Sequence, residues 1–171
     1  MTVYFSADLH VGHRRIIELC KRPYGSLDEM NADLIANWNA VVKPTDSIWF
    51  LGDFAWHGSE HFFYQLNGEK HLIIGNHDGK DTLALPWASQ EMYRELAINE
   101  DGVTTKLVLF HYPIRSWDGA YKGRIHLYGH VHGKLSGTRL CLDVGVDCWD
   151  FRPVTLSEIK VRLATLPEWS P

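Results

Sequence analysis

The sequence predicts an α/β fold with a mixed sheet arrangement, and three observations carry that prediction. Short apolar runs rich in β-formers recur along the chain. Helix-start signals fall between the early runs, whereas the later runs follow one another with turn residues between them. No internal repeat, low-complexity tract or Pro/Gly/Ser linker interrupts the pattern, so residues 1–171 read as one domain.

The elements follow in order. Residues 3–5 form the first strand, and residues 14–21 carry a short helical pattern. Ser26-Leu27-Asp28-Glu29 has the spacing of a capping box and opens a helix whose apolar face is Met30, Leu34, Ile35, Trp38, Val41 and Val42. Residues 48–51 and 71–74 are strands of buried length, with a short helix at 59–66 between them. Glu100-Asp101-Gly102 turns a β-hairpin between 93–98 and 103–110, the second arm ending in the apolar run 106–110. Strands at 125–128 and 140–144 follow. After Pro153, the box Thr155-Leu156-Ser157-Glu158 starts a last helix that runs to about Leu163.

Composition narrows the function. Hydrophobic residues at 45% and charged residues at 22% are the mix of a soluble globular protein. A net charge of −4 gives no overall positive field toward nucleic acid or anionic membrane, which argues against strong nucleic-acid binding but not against a small phosphorylated substrate. Cys20, Cys141 and Cys148 are odd in number and lack a Cys-x-x-Cys, so buried free thiols are expected rather than disulfides or a zinc–thiolate knot. Without a signal-peptide pattern or an apolar run of transmembrane length, a cytoplasmic protein is expected.

Histidine is the compositional outlier, at ten residues, and its positions matter more than its number. The first strand leads into Asp8-Leu9-His10. The second leads into Gly52-Asp53, and the third into Gly75-Asn76-His77-Asp78. The run 106–110 ends on His111, and 125–128 ends in Gly129-His130-Val131-His132. Five strands thus each deliver a carboxylate, carboxamide or imidazole at the carboxyl end, the edge where ligands bind in open α/β sheets. Glycines 52, 75 and 129 let the chain turn and let backbone approach a ligand. Any one of these motifs is common by chance; five at equivalent positions are not. Oxygen and nitrogen donors without thiolate suit two divalent transition-metal ions, manganese first, with iron, zinc or nickel as alternatives.

Two metals about 3.5–4 Å apart can clamp the attacking and leaving oxygens of an in-line displacement and raise the hydroxide available near neutral pH. One carboxylate must bridge them, and Asp53 at its tight turn suits that role. His77, next to a ligand and outside the ligand set, suits the general acid for the departing alkoxide.

Asp8-x-His10, Gly52-Asp53, Gly75-Asn76-His77-Asp78, His111 and Gly129-His130-x-His132 together resemble the calcineurin-like metallophosphoesterases, in order and over most of the chain. The resemblance implies two packed mixed β-sheets flanked by helices, a four-layer αββα sandwich. It further implies that Asp8, His10 and His132 hold one metal, that Asn76, His111 and His130 hold the other, that Asp53 bridges and that His77 acts on substrate. The stretch 145–158 is similar to small bacterial and phage members. One departure is informative: protein phosphatases of this superfamily place a phosphate-binding arginine where this chain has His57. The expectation is therefore a phosphodiesterase acting on a small or nucleotide-like diester, with phosphomonoesterase as the alternative.

His13 either reaches a substrate phosphate or caps the helix that follows. Arg14, Arg15, Lys21 and Arg22 form either a basic rim, with Arg14 a substrate contact, or a solvated helix face. Trp56 and Trp117, near motif loops, either stack on a base or belong to the core. His61, His71 and His126 read as structural or surface residues. Two rival classes stand beside the enzyme: a catalytically silent scaffold that keeps the metal site, and a nucleic-acid-binding protein with a structural metal. Oligomeric state is not legible.

Overall fold

A computed structural model describes residues 1–170 of the chain. It is an α/β sandwich of two mixed sheets. The first sheet has the order β4-β3-β2-β1-β9, from β1 (Val3–Ser6), β2 (Ser47–Phe50), β3 (Glu69–Ile73), β4 (Ser89–Glu91) and β9 (Val154–Thr155). Strands β1 to β4 are parallel and β9 is antiparallel to β1. The second sheet has the order β5-β6-β7-β8, from β5 (Tyr93–Glu100), β6 (Val103–Phe110), β7 (Ile125–Tyr128) and β8 (Cys141–Asp143). Here β5 and β6 are an antiparallel hairpin, and β6, β7 and β8 are parallel.

Alternation along the strands assigns side chains to layers. Ile48 and Phe50 of β2 face helices, while Trp49 and the following Leu51 face the second sheet. From that sheet Leu107, Leu109 and Leu127 meet them, with Phe5 and Ile73 completing the core between the sheets. Helix α2 (Leu27–Val41) places Met30, Leu34 and Trp38 on the outer face of the first sheet, beside Ile16 of α1 (Arg14–Leu19) and Phe63 of α3 (Ser59–Phe63). Each large side chain fully removed from water there stabilises the fold by roughly 1.5–3 kcal/mol. The outermost layer over the second sheet is thinner: Val108 is covered by Trp117, by Ala120 in a 3-10 turn and by Trp169. Helix α5 (Leu156–Leu163) closes the core between the sheets with Leu156, Ile159 and Leu163.

Local signals resolve unevenly. Thr155 and Glu158 form the complete reciprocal capping box. At α2 only half of the box forms: Ser26 accepts from the Glu29 N–H at 3.1 Å, but the Glu29 carboxylate takes the N–H of Gly25 instead of that of Ser26. The hairpin loop is the two residues Asp101-Gly102, both at positive φ, and Glu100 belongs to the strand, paired with Val103. Helices α1 and α3 are shorter than the apolar pattern suggests. Strand β4 and the short helix α4 (Lys80–Leu83) have no apolar signature; β4 is defined by its pairing with β3, and α4 by its own turn, with Leu83 and Ala84 N–H donating to Gly79 and Lys80 O. Among the described residues no helix is long and apolar enough to cross a membrane.

Candidate metal centre

Parallel pairing in both sheets brings the ends of β1, β2, β3, β6 and β7 to one rim. There the loops are stitched backbone to backbone: Asp8 N–H donates to Gly52 O, His10 N–H to Asp53 O and Gly129 N–H to His111 O. Gly52 and Gly75 allow the closest approach. A Cβ at Gly52, whose φ is +89°, would lie 2.6 Å from the Gly75 Cα and 2.6 Å from His111 Nδ1. Gly75 and Gly129 have no such φ, so those two are required for space alone.

The candidate ligand side chains are aimed by unusual backbone. Asp8, His10, Asp53, His130 and His132 all have φ between +50° and +70°, a region few non-glycine residues adopt. Such conformations cost on the order of 1–3 kcal/mol each and concentrate at functional sites. They turn the donors inward into two groups. Donor atoms of Asp8, His10 and His132 lie within 4.8 Å of one another, as do those of Asp53, His111 and His130. One atom joins the groups: Asp53 Oδ2 is 3.5 Å from His10 Nε2 and 3.5 Å from His111 Nε2. Asn76 Oδ1 lies 3.1 Å from His111 Nε2, on the second group.

The donors fit divalent cations. Asp8 Oδ1 and both ring nitrogens of His10 are buried and have no hydrogen-bond partner, a costly arrangement for polar groups unless a cation takes them up. Burial pushes the Asp8 carboxyl up to about 8 and holds His10 down at about 3, so the imidazole is neutral, the form that binds metal. A divalent cation at this position favours ionised Asp8. At Asp53 burial would raise the pKa, but the His111 ring and the His77 N–H outweigh it and hold the carboxylate at about 2.

A second layer of carboxylates fixes the loops. Asp78 accepts the N–H groups of Asp53, Phe54 and Gly75 at 2.8–3.0 Å. Asp143 accepts those of Gly133 and Gly145, and Asp8 Oδ2 accepts that of His130. Most extensive is the chain behind His132. Its Nδ1 meets Asp147 Oδ2 at 2.8 Å, and Arg22 grips Asp147 through Nε and Nη2, both at 2.8 Å. The same guanidinium donates to the carbonyls of Leu9 and Asp8. A carboxylate behind a ligating histidine fixes its tautomer and raises its basicity. At His132 burial acts against this, but the Asp147 carboxylate and the Cys20 side chain prevail and lift its pKa to about 10.

These positions revise the sequence reading in several places. Arg22 is buried and structural, not part of a basic rim; Arg14, Arg15 and Lys21 are exposed. Trp117 is core, its indole N–H on the Arg124 carbonyl, whereas Trp56 is 45% exposed beside the site. His13 occupies the N-cap position of α1 but makes no capping bond; its ring stacks on Trp56. His57 is exposed and outside both donor groups. His77 is exposed, its ring centroid 5.6 Å from that of His10. His126 is buried and held by backbone, His71 stacks on Trp49 and His61 is exposed. The three cysteines are free, as expected, but only half-buried. Asp147 was missed although its signal was present. The run 140–144 is a sixth strand with a polar donor soon after its carboxyl end, as the other five have.

No protein-family model matches the chain. It is similar to an uncharacterized protein of Methanocaldococcus jannaschii, with 31% identity over 92% of this chain and 88% of that protein. It is also similar to the gene 66 protein of Mycobacterium phage L5, at 27% identity over 91% of each chain. Among solved structures, a protein of unknown function from Aquifex aeolicus superposes with a TM-score of 0.73 at 24% identity, covering 94% of this chain and 98% of that one. That likeness shows the two-sheet fold. By its identity and coverage with the Methanocaldococcus jannaschii protein, the chain belongs to the same family as that protein.

Proposed function

We propose that the protein is a phosphoester hydrolase dependent on two divalent metal ions, a member of the calcineurin-like metallophosphoesterases, and that it favours phosphodiesters. The observation that carries the reading is the pair of Asp/His donor groups meeting at one oxygen of Asp53. Asp8, His10 and His132 would hold one ion, Asn76, His111 and His130 the other, with Asp53 between them; manganese suits this oxygen and nitrogen set. When bound, such a pair offsets charge developing on a phosphoryl oxygen and lowers the pKa of water.

The chain's own residues supply the rest. Asp53 is oriented from behind, its Oδ1 held by the His77 N–H at 2.8 Å, leaving Oδ2 toward the two histidines. That bond also fixes the backbone of His77, whose exposed side chain stands beside the donor groups, where a general acid can meet a leaving oxygen. Arg22, the guanidinium packed behind the site, is committed to Asp147 and two carbonyls and is not offered to a phosphate. A diester monoanion needs less permanent positive charge than a monoester dianion, which favours diesters.

The test is metal analysis and turnover after chelation and reconstitution with manganese, on bis(nitrophenyl) phosphate and nitrophenyl phosphate. Two ions per chain, restored hydrolysis and a higher efficiency on the diester are expected, with Asp53→Asn losing both metal and turnover. One ion or none per reconstituted chain would sink the dinuclear reading. A monoester preference would overturn the diester assignment alone.

A further inference from the structure

Beside the donor groups stands an aromatic surface that the chemistry above does not use. Trp56 is 45% exposed, unusual for so large an apolar side chain in a motif loop. It is not loosely held. Its backbone N–H donates to Val11 O at 2.9 Å, Val11 N–H donates to Phe54 O, and Val11 and Ala55 form a parallel bridge. Gly12 completes the clasp: a Cβ there would lie 2.5 Å from the His57 carbonyl oxygen. The loops that carry His10 and Asp53 are thus zipped together, and the zipper fixes the indole.

One side of that indole is occupied. The His13 ring lies against it at 4.4 Å with only 12° between planes, and the His13 centroid is 5.5 Å from that of His10. His77 lies on the site side, 5.3 Å from the indole. Two cavities meet at Trp56. One, of about 350 Å³, also has Arg14, Arg15 and Leu19 in its wall; the other, of about 180 Å³, has His77 and Lys80. A flat face, cations at its edge and a phosphoester site one ring away are the parts of a nucleotide site. Base–aromatic stacking needs only a π-face, and the prior His13 stack removes the ordering that a mobile indole would need.

Building on the hydrolase reading, we infer that Trp56, backed by His13, is a stacking platform for the nucleobase of a nucleotide substrate whose phosphoester lies at the Asp53 centre. The platform selects nucleotides over esters of non-aromatic alcohols, with Arg14 and Arg15 placed to meet a further phosphate.

The experiment is calorimetric titration of manganese-reconstituted protein with adenosine 5′-monophosphate and with ribose 5-phosphate, which differ only in the base. Wild type should bind the nucleotide on the order of 5- to 150-fold more tightly, the range stacking commands. Trp56→Ala should abolish that ratio while leaving ribose 5-phosphate unchanged, and Trp56→Phe should keep most of it. Equal wild-type affinities, or a ratio that survives Trp56→Ala, would overturn the platform and leave the hydrolase reading intact. Failure of both ligands to bind manganese-loaded protein would overturn both together.

Discussion

Substituting Asn for Asp147 tests the chain of contacts behind His132 in two separable ways. Arg22 is 4% exposed, and the Asp147 side chain 8%. Removing one partner of a buried ion pair typically costs about 3–5 kcal/mol, because the other charge is left uncompensated. Here the guanidinium keeps the carbonyls of Leu9 and Asp8, and the carboxamide oxygen can still accept one bond, so the lower end applies, about 3 kcal/mol. In a domain of this size that corresponds to a melting temperature lower by roughly 6–12 °C. Denaturation in chelator reads this cost without any contribution from metal.

The second readout is manganese affinity, which should fall about 10- to 100-fold, because the carboxamide in Asp147→Asn no longer orients the His132 ring with a full charge. Arg22→Met should destabilise the chain as well. The double variant Arg22→Met/Asp147→Asn should be more stable than the two single losses added together, by at least about 1 kcal/mol, since the residues act as one unit. An Asp147→Asn protein within about 0.5 kcal/mol of wild type in chelator would refute the structural role of the pair. Lost stability with unchanged manganese affinity would refute its role on His132.

Three further outcomes follow from particular contacts. Gly75→Ala should lose roughly 1–3 kcal/mol in denaturation and lower manganese affinity, because its Cβ meets Asp53 Oδ1 and lies 2.6 Å from Asp53 N; Gly79→Ala, with nothing within 4 Å, is the matched neutral control. His77→Ala should keep its metal but lose about 10²–10⁴-fold in turnover on poor leaving groups and much less on nitrophenolate; equal losses on both would place His77 on the phosphate instead. Asp46→Ala should be less stable than wild type at neutral pH, since Asp46 accepts the N–H groups of Thr2 and Lys43. Those bonds hold its pKa below the ordinary value, so its contribution is present above about pH 4 and is lost as pH falls through the lowered value. A gap between the two proteins that stays constant from pH 7 to pH 2 would contradict this.

What the sequence revealed and what it hid divide along physical lines. Strand ends were legible because apolar runs stop where polar donors begin, so all seven proposed ligands were visible at once. The left-handed backbone at Asp8, His10, Asp53, His130 and His132 was not, since Asp and His enter that region only occasionally and nothing in the sequence marks which of them do. Strand β4, reading Ser-Gln-Glu, carries no hydrophobic alternation and exists because β3 offers it an edge. Arg22 was misread for a related reason. Its neighbours in sequence are exposed, and only an Asp that lies 125 residues further along the chain brings it inside.

These hidden features depend on one another. Five proposed ligands in strained conformations would relax outward if their loops were free. Asp78, Asp143 and the Arg22–Asp147 pair bind the backbone or side chains of those same loops and oppose that relaxation. The braces are themselves costly, because burial raises the pKa of Asp78 and Asp143 as it does that of Asp8. Asp8, Asp78 and Asp143, buried at one rim, are pushed toward the neutral form, whereas against burial Asp53 is held ionised by His111 and the His77 N–H, and Asp147 by His132 and Arg22. On the proposed function, the destabilisation that this burial imposes on the metal-free chain would be returned on cation binding and would appear, by linkage, as cation affinity. On that reading the strain and the buried charge would be two parts of one device, a site held open in the shape that a divalent ion would complete.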